Sequence, residues 1–201
     1  MIGQQASTKK NNKAITNIKF DPEYFILGTL SDYMGRFTYV NKNYQIDRYY
    51  SFEKPLMEYI ENMIEKENNI DIITTPDNEL NISRYETFST ELSLEMNSYF
   101  YNNHLIIDSL KNIPKHNYSY LTGRYYRYGR KINDSIYSIQ IANSADHLVC
   151  DSLLRRIGCK KIHFKYLNNI PAQFIYYFIP TPGLKIYLDN IEKEKVKLED
   201  S

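Results

Sequence analysis

Residues 121–129 have the sequence Leu-Thr-Gly-Arg-Tyr-Tyr-Arg-Tyr-Gly, and residues 27–35 have the sequence Leu-Gly-Thr-Leu-Ser-Asp-Tyr-Met-Gly. Both segments begin with Leu, carry one Gly and one Thr at the second and third positions, and end in Gly. The second segment begins 94 positions after the first. Small residues allow two backbones to approach closely, so this pair predicts two copies of one unit that meet along these segments.

The chain around the first segment alternates between helical and extended patterns. Asp21 followed by Pro22 predicts the start of a helix that runs to about Tyr33. Beyond it, the periodicity predicts a hairpin, a helix, a second hairpin and a long helix that ends before Pro114. The predicted ranges are 36–40 and 44–50 for the first strand pair, 51–68 for the helix, 70–75 and 80–88 around a turn at 76–78 for the second strand pair, and 92–110 for the long helix.

The same order of elements then restarts, which predicts an α+β fold of two pseudo-symmetric αββαββα repeats with antiparallel sheets. We expect a polar tail at 1–20, one repeat at 21–114, a second repeat at 115–195, and a charged tail at 196–201. The predicted elements of the second repeat are a helix at 116–129, strands at 130–132 and 137–142, a helix from Ser144 to Gly158, strands at 160–167 and 173–179, and a helix at 182–195.

Both nine-residue segments resemble the LAGLIDADG motif of homing endonucleases and intron maturases. The resemblance covers nearly the whole chain outside its tails, because the repeated order of elements is also that of the family. It implies that the two motif helices pack against each other at the centre of the protein, with Gly28, Thr29, Thr122 and Gly123 at the positions of close approach.

In that family the eighth residue of each motif is an acid, and the two acids bind the catalytic metal ions. The eighth residues here are Met34 and Tyr128. A thioether and a phenol are poor substitutes for the carboxylate oxygens that Mg²⁺ prefers. Asp32 matches the sixth position, and one carboxylate alone does not make the metal site that phosphodiester cleavage needs. We therefore expect no catalytic residues, no metal and no other cofactor.

The composition excludes several other classes of function. The net charge is +1, and a dedicated DNA-binding enzyme is usually more basic. No apolar run is long enough to span a membrane, and we expect no secretory signal, no membrane partner and no small-molecule substrate. Two cysteines do not make a disulfide framework. A zinc site from His147, Cys150, Cys159 and His163 remains an alternative, although its spacing fits no common zinc module.

The resemblance also implies that nucleic acid binds to the concave face of the strands. Basic and tyrosine side chains alternate along the predicted strands and turns, a mixture that suits phosphate contact and base stacking, particularly on RNA. Lysines of the N-terminal tail add further candidates. The predicted nucleic-acid-binding residues are Lys9, Lys10, Lys13, Arg36, Lys42, Arg48, Arg84, Arg130, Lys131, Lys160, Lys161 and Lys165.

Residue usage indicates an AT-rich gene, with 25 Ile, 20 Tyr, 20 Asn and 17 Lys against 8 Arg, 7 Gly and 7 Pro. Organellar genomes are AT-rich, as are some bacterial, parasite and phage genomes. Together with the missing acids and the near-neutral charge, this predicts a structural RNA-binding component of an organellar ribonucleoprotein. The mitochondrial ribosome, with ribosomal RNA and neighbouring proteins as partners, fits best. The alternatives are an active homing endonuclease, an intron maturase or DNA-binding regulator, an unrelated α+β protein, and a cytoplasmic location in an AT-rich organism.

Overall fold

The computed structural model describes residues 19–31, 36, 43–68, 72–77, 84–102, 104–106, 110 and 113–199 of the chain. The first half contains α1 (Pro22–Thr29), β1 (Gln45–Tyr50), a 3-10 turn (Ser51–Glu53), α2 (Lys54–Asn68), β2 (Ile73–Asp77), β3 (Arg84–Phe88), α3 (Thr90–Ser98), β4 (Phe100–Tyr101) and β5 (His104–Leu105). The second half contains α4 (Pro114–Tyr128), β6 (Gly129–Lys131), β7 (Tyr137–Ala142), α5 (Asp146–Arg156), β8 (Lys160–Leu167), β9 (Gln173–Ile179) and α6 (Pro182–Glu199).

Each half forms its own antiparallel sheet, and the two sheets share one topology. The first sheet has the order β1-β3-β2, and the second has the order β6-β7-β9-β8. The strands β1, β2 and β3 therefore correspond to β7, β8 and β9, which confirms the predicted repeat. The predicted strand at 36–40, which would match β6, lies outside the described residues apart from Arg36. The domain boundaries at 20, 114 and 195 stay predictions, although α6 continues past Lys195 to Glu199.

The two motif helices, α1 and α4, meet at their glycines as predicted. A Cβ atom added to Gly28 would lie 2.1 Å from the carbonyl oxygen of Tyr120, and one added to Gly123 would lie 2.0 Å from the carbonyl oxygen of Phe25. Each glycine thus faces the backbone three residues before the other glycine. Only residues without a Cβ permit this approach. The reciprocal contact places a pseudo-two-fold axis between the helices.

This contact pairs Gly28 with Gly123, one position away from the motif alignment, which pairs Gly28 with Thr122. The shift does not restore an acid to α4. Depending on the register, the eighth motif position is occupied by Tyr128 or by Gly129. The predicted equivalence of Gly35 with Gly129 lies outside the described residues.

α1 ends at Thr29 rather than near Tyr33, because its last carbonyls bond elsewhere. Leu30 has extended backbone angles (φ −61°, ψ 138°). The N–H of Ser31 donates to the Asp47 carboxylate at 2.6 Å. Side chains from α4 take the carbonyl oxygens of Thr29 and Leu30. A continuing helix would have used those carbonyls for its own hydrogen bonds.

The prediction of one long helix at 92–110 is wrong. Helix α3 stops at Ser98, and a two-stranded hairpin (β4 and β5) follows. Asn102 has a φ of 46°, the left-handed conformation that tight hairpin turns require and that Asn tolerates. The apolar residues at helical spacing fit a helix and a hairpin equally well. In the structure, Phe100 and Leu105 are buried from opposite strands of the hairpin.

Two smaller differences also lie in the first half. Pro76 and Asp77, predicted as a turn, continue β2 and pair with Tyr85 and Arg84. β2 is an edge strand, where the missing N–H of proline is tolerated. Arg36, predicted to begin a strand, is helical.

The second half follows its prediction closely. β7, β8 and β9 occupy the predicted ranges, and Gly158 ends α5 with a φ of 84°. The core lies between the sheets and the two motif helices, where Phe25, Leu27 and Leu121 have no exposed surface. Among the described residues, no helix has both the length and the hydropathy that a membrane crossing requires.

Replacing Gly123 by Ala tests the helix contact. The new methyl group would meet the backbone of Phe25, which cannot rotate away, so the helices must separate. We expect a loss of about 2 kcal/mol or more in the free energy of unfolding, as for other overpacked cores. This loss opposes the gain of about 1 kcal/mol that Ala gives over Gly in a helix. Chemical denaturation followed by circular dichroism measures the difference.

Gly183→Ala in α6 is the matched control. Its added methyl group would lie 2.8 Å from the Tyr118 hydroxyl, the far end of a side chain that can move. The control should therefore be much less destabilised. Equal stability of Gly123→Ala and the wild type would contradict the close helix contact.

Candidate nucleic-acid interface

The C-terminal ends of the two motif helices are joined by a buried arginine. Arg127 on α4 donates to the carbonyl oxygen of Thr29 at 2.6 Å and to that of Arg48 at 2.7 Å. It also donates to the carboxylates of Asp47 at 2.8 Å and Glu53 at 2.8 and 3.0 Å. Its side chain is only 2% exposed. A single guanidinium thus binds four groups of the first half.

A second arginine on α4 completes this cluster. Arg124 donates to the carbonyl oxygen of Leu30 at 3.1 Å and forms an ion pair with Asp146. Asp146 also accepts from the Tyr120 hydroxyl at 3.1 Å. Both guanidiniums therefore lie at the end of α1, where the helix dipole favours positive charge.

The charge on Arg127 is fixed by its neighbours. Burial alone lowers the pKa of a guanidinium, but the charged carboxylates of Glu53 and Asp47 oppose that effect, and the pKa of Arg127 lies well above its usual value. Burial also raises the pKa of the Tyr128 phenol, to about 12, against smaller opposing effects of Arg127 and Arg124. Tyr128 is therefore neutral at physiological pH.

These groups do not fit a divalent cation at the end of α4. Tyr128 is neutral, and the nearby carboxylates and carbonyls are already bonded to guanidinium groups. Met34 and Asp32 lie outside the described residues. Over the described residues, no group of three or more His, Cys, Asp or Glu is placed to bind a metal. His147 instead bonds the Ser144 carbonyl oxygen and stacks on Phe174, which leaves the zinc alternative without support.

The structure separates the twelve predicted nucleic-acid-binding residues into three groups. Lys9, Lys10, Lys13 and Lys42 lie outside the described residues, as does the side chain of Arg84. Three others bond to the protein itself: Arg36 is buried and donates to Asn97 and to the Ile46 carbonyl oxygen, Arg48 pairs with Glu86 at 2.7 Å, and Lys131 pairs with Asp189 at 3.3 Å. The exposed remainder all lies on the second sheet: Arg130, Lys160, Lys161 and Lys165.

Strand register places three of these four side chains on one face of the second sheet. Arg130 pairs with Ser138, Lys160 with Ile179, and Lys165 with Ile175. The opposite face, which includes Tyr137, Ile139 and Phe178, packs into the core. We call the face that carries Arg130, Lys160 and Lys165 the outer face.

The two sheets differ in charge. The four strands of the second sheet contain no Asp or Glu, so nothing within the sheet neutralises its cations. The three strands of the first sheet contain Asp47, Asp77 and Glu86. The predicted basic face is therefore concentrated in one half. Counting charges strand by strand would have revealed this asymmetry from the sequence.

Comparison with known proteins supports the fold. No protein-family model and no curated protein matches the chain. Mesophilic variants of the homing endonuclease I-DmoI match with a TM-score of 0.54 at 12% identity, over 85% of this chain and 88% of that chain. A glycine-to-serine variant of I-DmoI with its target DNA and Mg matches with a TM-score of 0.52 at 13% identity, over 85% and 94%. The chain has the LAGLIDADG fold, as the motif pair predicted.

Replacing Arg127 by Met tests the role of the buried cluster. The change leaves the carboxylates of Asp47 and Glu53 buried without their cation, and removing one partner of such a pair typically costs about 3–5 kcal/mol. We expect a loss of that size in the free energy of unfolding. Urea denaturation measures it, and adding Glu53→Gln should restore part of the loss because one unpaired charge is removed.

Arg130→Met, three residues further along and exposed, is the matched control. It should change the free energy of unfolding by no more than about 0.5 kcal/mol. If Arg127→Met were as stable as Arg130→Met, the buried arginine would not hold the helix ends together.

Proposed function

We propose that this chain is a non-catalytic protein of LAGLIDADG fold that binds RNA through the outer face of its second sheet, as a structural component of a ribonucleoprotein. The observation that carries the proposal is the pair of buried arginines at the motif-helix ends. The family resemblance implies an acid at the eighth motif position, where α4 carries the neutral Tyr128, flanked by the buried Arg124 and Arg127.

The charges at the motif-helix ends support the proposal that the protein is not a nuclease. Metal-assisted phosphodiester cleavage needs cations that are free to contact phosphate and water. Arg124 and Arg127 are positively charged, but both are at most 2% exposed and donate to protein oxygens. A divalent cation brought close to them would be repelled. These residues therefore hold the two repeats together and do not face a substrate.

Binding of nucleic acid is supported by the charge of the second sheet. The outer face offers Arg130, Lys160 and Lys165 with no acid in the same sheet. Phosphate contacts supply much of the affinity for any nucleic acid. The low net charge of +1 restricts this attraction to one local surface. A protein that neighbouring proteins hold in position within a larger assembly needs no stronger electrostatic attraction to RNA.

The choice of RNA and of the organelle rests on the sequence. Aromatic side chains among the strand lysines suit unpaired RNA, and residue usage indicates an AT-rich gene. We propose the mitochondrial ribosome as the assembly. Duplex DNA is the second candidate, because I-DmoI, which shares the fold, has been solved with its target DNA.

Charge reversal on the outer face tests the binding surface. We expect the double variant Arg130→Glu/Lys165→Glu to bind single-stranded RNA about tenfold more weakly near 0.1 M salt, because two phosphate contacts become repulsive. The slope of log K against log salt should fall by roughly 0.7 for each lost contact. Fluorescence anisotropy with a labelled RNA of mixed sequence measures both, and duplex DNA of the same sequence is the comparison.

Lys54→Glu/Lys193→Glu is the control, since it also lowers the net charge from +1 to −3, by four units, at two exposed sites away from the sheets. It should bind almost as the wild type does. Equal loss in both double variants would show a nonspecific effect of net charge and overturn the assignment of the surface. Tighter binding of duplex DNA than of RNA would favour the second candidate.

Nuclease activity gives a separate prediction. We expect no cleavage of duplex DNA by the purified protein with Mg²⁺ or Mn²⁺, because the described helix ends carry arginines and a neutral phenol. A randomised target library analysed by sequencing of cut ends provides the measurement, and I-DmoI on its own target is the positive control. Metal-dependent cleavage that disappears in Asp32→Asn would overturn the proposal.

A further inference from the structure

Four aromatic rings form a cluster at the outer edge of the second sheet, on the side opposite the outer face. His147 stacks on Phe174, with ring centroids 3.8 Å apart and planes within 4°. Phe164 lies 6.2 Å from Phe174 at 19°, and Tyr166 lies 5.5 Å from it at 46°. We call these four residues the edge aromatic cluster. His147, Phe174 and Phe164 have nearly parallel planes, so the cluster presents ring faces in one general direction.

Two members of this cluster are exposed although their face of the sheet is otherwise core. Strand register places Phe164 opposite Tyr176 and Tyr166 opposite Phe174. Tyr176 is 3% exposed, whereas Phe164 is 45% and Tyr166 is 50% exposed. Leu148, next to His147, is 60% exposed. The core therefore ends at β9, and β8 carries its rings past the edge of α5 into solvent.

The charge around these rings is positive. Lys165 lies between Phe164 and Tyr166 in the strand, and Lys160 and Lys161 precede them. No acid occurs in β8 or in any other strand of its sheet. Arg155 on the neighbouring helix pairs with Asp151 and so adds little net charge. Lys160 and Lys165 project from the outer face, but β8 is the edge strand, so these lysines border the rings across the strand edge. Exposed rings bordered by unneutralised lysines match the chemistry of single-stranded nucleic acid, in which flat bases alternate with phosphates.

The shape of β8 disfavours addition of a peptide strand at the same edge. The register with β9 shifts between Lys160 and His163, and Lys161 has a φ of 50°. Such bulges, together with lysines, protect sheet edges against pairing with a further strand. The rings, rather than the backbone of the strand, are therefore the groups available to a partner.

We propose that the edge aromatic cluster binds unpaired bases of single-stranded RNA, which stack on Phe164 and Tyr166 while the phosphate backbone passes around the edge of β8 toward Lys165 on the outer face. This inference rests on the proposed function and adds a second surface to it. The outer face contacts phosphates, and the edge aromatic cluster selects RNA with unstacked bases.

The test compares ring removal with ring retention. Phe164→Leu/Tyr166→Leu keeps apolar side chains but removes both ring faces, and Phe164→Tyr/Tyr166→Phe retains them. Both changes affect half-exposed residues, so the fold should persist, which thermal unfolding checks. The probes are a single-stranded RNA containing 2-aminopurine and the same sequence annealed into a duplex. Affinity is measured by anisotropy, and stacking by quenching of 2-aminopurine fluorescence.

Stacking is worth about 1–3 kcal/mol per base, so we expect the leucine variant to lose about tenfold or more in affinity for the single strand. Quenching should disappear, duplex affinity should be unchanged, and the salt slope should match the wild type because no charge is altered. The ring-retaining variant should behave as the wild type.

Failure of this inference differs from failure of the proposed function. If the wild type binds RNA and the leucine variant binds equally well with full quenching, the cluster is not a base-binding site, and the proposal that the outer face contacts phosphates is unaffected. If the wild type binds no RNA, both proposals fall. Loss of association with a neighbouring protein, without loss of RNA binding, would show a protein-docking surface and overturn the inference.

Discussion

The close contact between the backbones of the two motif helices is the constraint on which the remaining architecture depends. With glycines at 28 and 123, each helix approaches a carbonyl oxygen of the other at a distance that no Cβ would allow. The helices consequently share one axis of approximate symmetry, and each sheet extends from its own helix on one side of that axis. The positions of the strands, and of every surface residue on them, follow from this one crossing.

The ends of the same helices carry a second layer of organisation. Placing Arg127 in the interior is favourable only because Asp47, Glu53 and two backbone carbonyls surround it. Arg124 is stabilised in the same way, by an ion pair with Asp146 and a hydrogen bond to the Leu30 carbonyl oxygen. The buried positive and negative charges pair with one another, so the described residues of this centre offer no unpaired charge to a ligand. Of the predicted nucleic-acid-binding residues whose side chains are described, those that remain exposed lie on the strands of the second half.

The sequence predicted the second half well and the first half less well, for identifiable reasons. β8 and β9 have many aromatic and β-branched residues between clear turn signals. The predicted first and last residues of both strands agree with the structure. The long helix predicted at 92–110 failed because its apolar spacing fits both a helix and a short hairpin, and the choice depends on the left-handed Asn102. Arg127 was missed because its partners, Asp47 and Glu53, lie more than seventy positions away. The exposure of Phe164 could not be predicted from the sequence, because it depends on where α5 stops covering the sheet.

The division of the buried cluster between the halves restricts how this protein can exist. The cation Arg127 comes from the second half, whereas its two carboxylates come from the first. A symmetric pair of second halves would bring two such guanidiniums together without acids, and a symmetric pair of first halves would bury four carboxylates without cations. Either homodimer would leave like charges buried and unpaired. The two halves have become complementary rather than interchangeable, and a gene encoding only one of them would not yield a self-sufficient dimer.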